Sequence, residues 1–484
     1  MVDVVVVGAG PTGMMLAAEL QLAGVEVEVV ERRPTPDLVG SRAGGFHART
    51  IEILDQRGIA DRFLAEGKTF PLPYSGTTML DISDLPTRHP YTLGLFQNRI
   101  ERILADWLDE LGVRVRRGRA VTDFAQDDAG VEVRLDDGTT LPAQYLVGAD
   151  GGRSAIRKAA GIEFPGWEAT TSSLIAEVEM TEPTPPGITF DERGLHGMSL
   201  MEDGRTTRVV TTEGQVSESG EPTLDDLRAN LIAVFGTDFG ARNPTWISRF
   251  SNATRQAASY RSGRVLVAGD AAHIHSPAGG QGIGLGIQDA VNLGWKLAQV
   301  VKGVSTEQLL DSYHVERHPA TARALQYSMA ANALQQPGPR VAALRDLLDT
   351  LVVMDEPRRH IAGLVTGLDI RYDLGTGHPL LGRRMPDLDV VIAGEPTTVY
   401  SLLHAARPVL MNLGDESLDP GPWAERVDSV HARSEGEWLL PSVGPVAAPS
   451  AALIRPDGHV CWVGEGTRDG LEPALATWFG PAVR

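Results

Sequence analysis

Residues 2–7 are apolar at every position but Asp3, and residues 25–30 alternate Val with Glu before closing on Val29 and Val30. Between them, residues 14–22 are apolar with polar side chains only at Glu19 and Gln21, and Gly24 follows. Valine-rich runs flanking a longer apolar segment predict strand, helix, strand, the strands covered on both faces as in a parallel sheet. Similar short runs return at 145–147 and 265–268. Segments 113–116 and 131–135, with the turn Asp136-Asp137-Gly138, predict strands of a small meander. From 171 to 246 the pattern is β-rich, with strands at 174–180, 197–201 and 206–212 punctuated by Pro183, Pro185 and Pro186, and a helix at 224–235. Helical periodicity dominates 285–301, 309–327 and 340–354. Beyond 377–386, short strands at 408–412, 451–455 and 459–463 precede a helix at 471–479. The reading is an α/β chain of two or three domains, which 484 residues accommodate. No internal repeat or low-complexity segment interrupts it.

The first strand and helix are joined by Gly8-Ala9-Gly10-Pro11-Thr12-Gly13, and Glu31 ends the second strand eighteen residues beyond Gly13. Strand, glycine turn, helix, strand and acid together form the dinucleotide fingerprint in its required context. Gly8 permits the tight turn, Gly10 lets backbone reach a pyrophosphate, and Gly13 allows the helix to pack closely on the strand. The helix N-terminus offers amide groups and partial positive charge to the phosphates, with Pro11 and Thr12 in the same turn. Glu31 can accept hydrogen bonds from an adenosine ribose, and Arg32 stands beside it. FAD and NAD share this fingerprint.

Residues 264–290 separate the two cofactors. Asp270 follows the strand 265–268, where open α/β sheets place ligand-binding groups. Pro277, Gly279, Gly280, Gly282, Gly284 and Gly286 then form a glycine-rich loop leading into a helix from about residue 285. Such backbone can approach a flat or anionic ligand closely. An acid, a glycine loop and a helix start suit a polyol, a ring system and a phosphate, which are the parts of FAD.

This stretch resembles the GD motif of the flavin-dependent aromatic hydroxylases, the para-hydroxybenzoate hydroxylase-like family of class A flavoprotein monooxygenases. The nearest group is the polyketide hydroxylases, together with rifampicin monooxygenase. The resemblance implies that Asp270 binds the ribityl hydroxyls and that Pro277, Gly280, Gly282, Ile283 and Gly284 line the isoalloxazine. It places Arg42 and Arg49 of the segment 41–57 near flavin and phosphates, Gln97 on the flavin side of the cofactor, and Val121 with its backbone against adenine. Segment 145–157 resembles the family's DG motif, in which Asp150 serves both FAD and NAD(P)H; Asp150 is equally placed to cap the helix after it. One position departs: relatives usually carry Asn where this chain has Gly284, so one restraint on the ring is missing and looser flavin, with more hydrogen peroxide, is expected.

The implied fold is a Rossmann-like FAD-binding domain (1–70, 97–170 and 264–385), a β-rich substrate domain (71–96 and 171–263) and a thioredoxin-like C-terminal domain (386–484). A redox-active thioredoxin fold needs Cys-x-x-Cys, and Cys461 is alone, so this domain reads as structural or interfacial. The implied activity is hydroxylation of a polycyclic aromatic, polyketide-type phenol. NAD(P)H reduces non-covalent FAD and O₂ forms a C4a-hydroperoxyflavin. Baeyer–Villiger oxygenation of a ketone, or a flavin dehydrogenase or oxidative cyclase, is the alternative. The motifs require no resident acid or base and name no pocket residue, although Arg205 or Arg208 could meet a substrate carboxylate.

Composition narrows the partners. Lys+Arg 44 against Asp+Glu 63 gives a net charge of −19, which argues against nucleic acid or an anionic membrane surface. No signal peptide or bilayer-length apolar run is visible, so a cytoplasmic soluble protein, monomer or homodimer, is expected. His273 and His275 could share a face in extended chain, but no third ligand is suggested nearby and no metal is expected.

Overall fold

The computed structural model describes residues 1–74, 78–217, 220–415, 417–434 and 437–482. Its spine is a sheet ordered Arg261–Ser262, Val265–Val267, Thr140–Gly148, Val2–Val7, Val27–Glu31, Arg114–Arg117. All neighbours run parallel except the first pair. Val4, Val5 and Val6 are fully buried, as the apolar run requires. The segment expected at 113–116 is not part of the meander. Arg114–Arg117 extends the parallel sheet beside Val27–Glu31, and the meander is made by Val121–Gln126, Val131–Leu135 and the first half of Thr140–Gly148.

Two helices start three residues earlier than the pattern suggested. The first is Pro11–Leu22, because proline is well suited to a helix's opening turn. The second is Gly282–Val301, so Gly282, Gly284 and Gly286 are helical rather than looped. Gly284 and Gly286 serve close packing instead. A Cβ on Gly286 would stand 2.1 Å from Thr12 Oγ1, and one on Gly294 would stand 2.5 Å from Glu19 Cβ. The long helix can lie against Pro11–Leu22 only because those positions lack side chains.

A five-stranded antiparallel sheet runs Gly187–Asp191, Gly194–Leu200, Thr206–Thr212, Ser172–Glu179, Arg242–Ser251. Leu174, Ala176, Val178, Met198 and Val209 pack one face onto Leu227 and Leu231 of the helix Leu224–Phe235. Cross-strand register puts Ile175, Glu177, Val210, Arg208, Trp246, Ser248 and Phe250 on the other face. That face looks toward the parallel-sheet unit: Arg42 donates to Ser248 Oγ at 2.9 Å, and Arg208 lies over the Phe96 ring at 5.1 Å. Leu72 and Leu80 of a separate hairpin pack instead with Val352, Ala362 and Val365, beside a helix Asp355–Thr366 that periodicity missed.

The last unit holds a six-stranded mixed sheet, from Glu395–Thr398 at one edge to Val460–Gly464 at the other, with the helix Leu471–Phe479 packed beside it. Buried ion pairs fasten it to the rest. Arg455 donates to both oxygens of Glu316, at 2.6 and 2.8 Å, and pairs with Asp457, while Lys296 reaches Glu316 at 2.8 Å. Arg57 donates to both oxygens of Glu19 in the first helix, at 2.6 and 2.9 Å, and to the carbonyls of Leu403 and Pro456, at 3.0 and 2.8 Å. Cys461 is buried, and burial pushes its thiol well above the ordinary range. Among the described residues no helix is long and apolar enough to cross a membrane.

Candidate cofactor site

Val7 lies opposite Gly148 and Val30, and Gly148 opposite Val267, so the carboxyl ends of four neighbouring strands are level. Each strand therefore delivers its motif to one edge of the sheet: Gly8 to Gly13, Glu31, Asp150 and Asp270. That edge is where open parallel sheets bind ligands.

The glycines divide by what surrounds them. Gly8 has φ +107°, and a Cβ there would lie 2.4 Å from Ala149 O; one on Gly13 would lie 1.9 Å from Gly8 O. At Gly10 a Cβ would meet nothing within 4 Å. Gly8 and Gly13 are thus demanded by packing, whereas the space beside Gly10 is open, as a pyrophosphate would require. No side chain caps the helix Pro11–Leu22, which leaves its first amides available to an anion.

Asp270 sits in a 3₁₀ turn, Gly269–Ala271, braced from behind by the fully buried Asp289. Asp289 Oδ2 accepts the Gly269 N–H at 3.0 Å and pairs with His273 Nε2 at 2.7 Å, while Oδ1 accepts Arg317 Nε at 2.8 Å. Burial alone would raise the Asp289 pKa, but His273 and Arg317 outweigh it and hold the carboxyl below its usual range. Thr12 wedges the two motifs together, since a Cβ on Gly269 would lie 2.5 Å from its Oγ1. The Asp270 side chain is exposed yet crowded by protein; crowding raises its pKa, and the charges of His273 and Arg42 oppose the rise. Its carboxylate is thus open to solvent although protein surrounds it. Arg42 is exposed close by, held by Ser248.

At the end of Val27–Glu31, Glu31 accepts the Ala9 N–H at 2.7 Å and the Arg33 N–H at 2.8 Å. Arg33 donates to Ala9 O at 3.1 Å and to Glu101 at 2.8 Å, and Gln97 donates to the other Glu101 oxygen at 2.8 Å. Gln97 opens the helix Gln97–Glu110 and is thereby linked to Glu31 through residues that the motif search passed over. Arg33 Nη1 is buried with no partner among the described residues, a donor still seeking an acceptor at this end. Arg32 points to solvent, and Val121, half-buried, starts its strand.

Asp150 accepts Ser154 Oγ–H at 2.5 Å and the N–H groups of Ala155 and Ile156 at 2.7 and 3.3 Å, at the start of the helix Ala155–Ala159. Its neighbour Arg157 donates to Ala271 O at 2.8 Å, tying this motif to the Asp270 turn. Arg49 is buried; it pairs with Glu52 and donates to the carbonyls of Gly367 and Leu368 at 3.2 Å each. That guanidinium braces the helix Ala48–Asp55 against the 367–368 turn.

Pro277 and Gly280 are exposed, with Gly279 at φ +91° and Gly280 at +65° forming the turn before Gly282. Ile283 is half-buried against the main core, and Gly284 is buried, where a Cβ would lie 2.6 Å from Thr50 Oγ1. His275 is bound to Ser276 O at 2.7 Å, and burial lowers its pKa to about 4, so it is neutral at pH 7. Among the described residues, no group of three or more metal-ligating side chains assembles.

A family model described as "FAD binding domain" matches residues 1–328, and one described as "Aromatic-ring hydroxylase, C-terminal" matches 378–482. The chain belongs to the FAD-dependent aromatic hydroxylases. It is 43% identical to rifampicin monooxygenase of Streptomyces venezuelae across 100% of both chains. It is 42% identical to 12-dehydrotetracycline 5-monooxygenase/anhydrotetracycline 6-monooxygenase of Streptomyces rimosus across 99% of each. Among solved structures, CabE, an aromatic hydroxylase from angucycline biosynthesis, superposes with a TM-score of 0.92 at 40% identity over the full length of both. The enzyme is a flavoprotein monooxygenase with FAD as cofactor and NAD(P)H and O₂ as co-substrates. Its arrangement fits FAD: room at Gly10, uncapped amides, an acid open to solvent and an unpartnered arginine donor.

Proposed function

We propose that the enzyme inserts one oxygen atom from O₂ into a phenolic ring of a polycyclic, polyketide-type substrate during secondary-metabolite tailoring. The observation that carries this is the face of the five-stranded sheet that is turned toward the parallel-sheet unit. Ile175, Val210, Trp246 and Phe250 give it apolar side chains, with an ion pair, Glu177 to Arg208 at 3.1 Å, set among them. Apolar side chains interleaved with a few polar groups suit a flat fused-ring molecule whose oxygens must be oriented. The names of relatives that act on rifampicin and anhydrotetracycline support the same class.

FAD, once reduced by NAD(P)H, supplies the activation of O₂. The protein's tasks are then binding and shelter. Gly10, Glu31 and the first amides of Pro11–Leu22 hold the adenosine and pyrophosphate, and Asp270 holds the ribityl hydroxyls. Pro277 and Gly280 lie along the ring, and Arg42 bridges this site to the sheet through Ser248. Arg208 orients a substrate oxygen, and the sheet excludes water from the reacting carbon. A phenol activates its own ring, so no separate base is assigned.

We read residues 386–484 as thioredoxin-like: Val409–Asn412 runs parallel to Asp428–Ser434, and the antiparallel pair Ala451–Ile454 and Val460–Gly464 precedes the last helix. A cytoplasmic monomer or homodimer without nucleic-acid partners completes the reading.

The test is turnover of a polycyclic phenol under ¹⁸O₂. One labelled atom on an aromatic carbon is expected. A labelled lactone or ester would favour Baeyer–Villiger chemistry, and turnover that survives removal of O₂ would refute oxygenation.

A further inference from the structure

We infer that His47 is a positioning residue that sets the aim of the flavin-covering turn at Pro277–Gly280. His47 precedes the helix Ala48–Asp55 and is buried. Its Nε2 lies 2.7 Å from Gly279 O, and its Nδ1 lies 3.3 Å from Thr92 Oγ1. A carbonyl only accepts, so Nε2 carries the proton; Nδ1 is then a lone pair that accepts the Thr92 hydroxyl. Burial also lowers the pKa of His47, which keeps this neutral form in place.

The turn is pinned at other points too, and none of those that follow holds the Gly279 carbonyl. Ser276 O accepts from Ser328 Oγ at 2.9 Å, and Gln281 Nε2 donates to the carbonyls of Leu364 and Val365 at 3.0 and 2.9 Å. Gly280 N–H closes the turn onto Pro277 O at 3.0 Å. Both glycines have positive φ, which glycine takes up readily, and the peptide between them is held by its N–H on Pro277 O and by its carbonyl on His47. His47 holds that peptide from below: a Cβ on Gly280 would lie 3.3 Å from its Nε2. On the other side a Cβ on Gly279 would lie 2.8 Å from the Tyr327 ring. The imidazole thereby sets the orientation of the Gly279 carbonyl, and with it the plane of the last peptide of the turn.

This inference rests on reading Pro277–Gly280 as the turn along the ring. The test compares His47→Ala, His47→Asn and His47→Gln, since the Gln amide nitrogen overlays Nε2 and the Asn nitrogen does not. Apo-proteins are titrated with FAD, following the flavin absorbance band and fluorescence, and the peroxide-to-product ratio is measured at saturating substrate. Ala and Asn should shift the band and raise that ratio about threefold to tenfold, as loss of one buried hydrogen bond implies, while Gln restores both. Equal behaviour of Gln and Asn, or wild-type values in all three, overturns the role of His47. Failure of the wild-type apo-protein to take up FAD would instead overturn the cofactor reading. If the His47 variants do not fold, Thr92→Val decides: it removes the hydroxyl that holds Nδ1, which frees the ring to swing away from Gly279 O and should shift the ratio the same way, and an unchanged ratio overturns the inference.

Discussion

Gly286→Ala tests whether the fingerprint and the Asp270 turn act as one piece. The new methyl would stand 2.1 Å from Thr12 Oγ1 and 3.4 Å from Gly269 Cα. The second distance is ordinary contact; the first is not, and Thr12 sits on a helix packed into the core. Alanine gains about 1 kcal/mol of helix propensity over glycine, while overpacking of a tight site costs about 1–3 kcal/mol. The net effect on melting is therefore small, below about 2 kcal/mol. The effect on FAD is larger, because relief of the clash moves Thr12 or Gly269, and Asp270 follows Gly269. A displacement that loses one charged hydrogen bond, about 1.5–3 kcal/mol, weakens FAD binding about tenfold to a hundredfold. Fluorescence titration of apo-protein measures this, and a double-mutant cycle isolates the cause. Thr12→Ala opens the contact, so Thr12→Ala/Gly286→Ala should bind FAD within about threefold of Thr12→Ala alone. Wild-type affinity in Gly286→Ala, or full loss persisting in the double variant, would refute the wedge.

Gly284→Asn, the substitution toward the family residue, must displace the Thr50 hydroxyl; alone it should lower the melting temperature, and Gly284→Asn/Thr50→Ala should recover it and reduce peroxide per product. Arg455→Ala leaves Glu316 buried with Lys296 and Asp457 buried with His459, so calorimetry should show a loss of about 3–5 kcal/mol. Acid should weaken the fold before any carboxylate is neutralised. Burial lowers His275 to about 4 and His459 to about 3. As pH falls below about 6.5 the unfolded chain takes protons that these folded histidines refuse, so stability drops from pH 7 to pH 5 by about 1–2 kcal/mol for each. Denaturant midpoints across that range check the sign, and a midpoint that rises would contradict it.

Much of this was legible in the sequence because each motif is local. Val2–Val7, Thr206–Thr212, Leu224–Phe235 and Leu471–Phe479 lie where the residue pattern puts them. Patterns failed where a partner decides the outcome. Whether 113–116 joins a parallel or an antiparallel neighbour depends on Val27–Glu31, far earlier in the chain, and Gly284 and Gly286 stand where Thr50 and Thr12 leave no room for a side chain. Site residues divide in the same way. Gly8 and Asp270 announce themselves, but Arg33, Glu101 and Arg317 acquire their tasks only across the fold. Asp289 did leave a signal, being the lone acid in the apolar helix Gly282–Val301. His47 left none.

The ties between the last unit and the rest differ in kind, and this bears on building chimeras between related hydroxylases. Arg57 holds Leu403 and Pro456 by their carbonyls, so any donor tail that follows the same backbone path satisfies it. Glu316 instead requires the side chain of Arg455, which Asp457 in turn holds, and a graft lacking them would enclose an unmatched charge. A tail should therefore transplant across large differences in surface sequence provided two residues travel with it. A library of swaps would sort by those two positions rather than by overall identity.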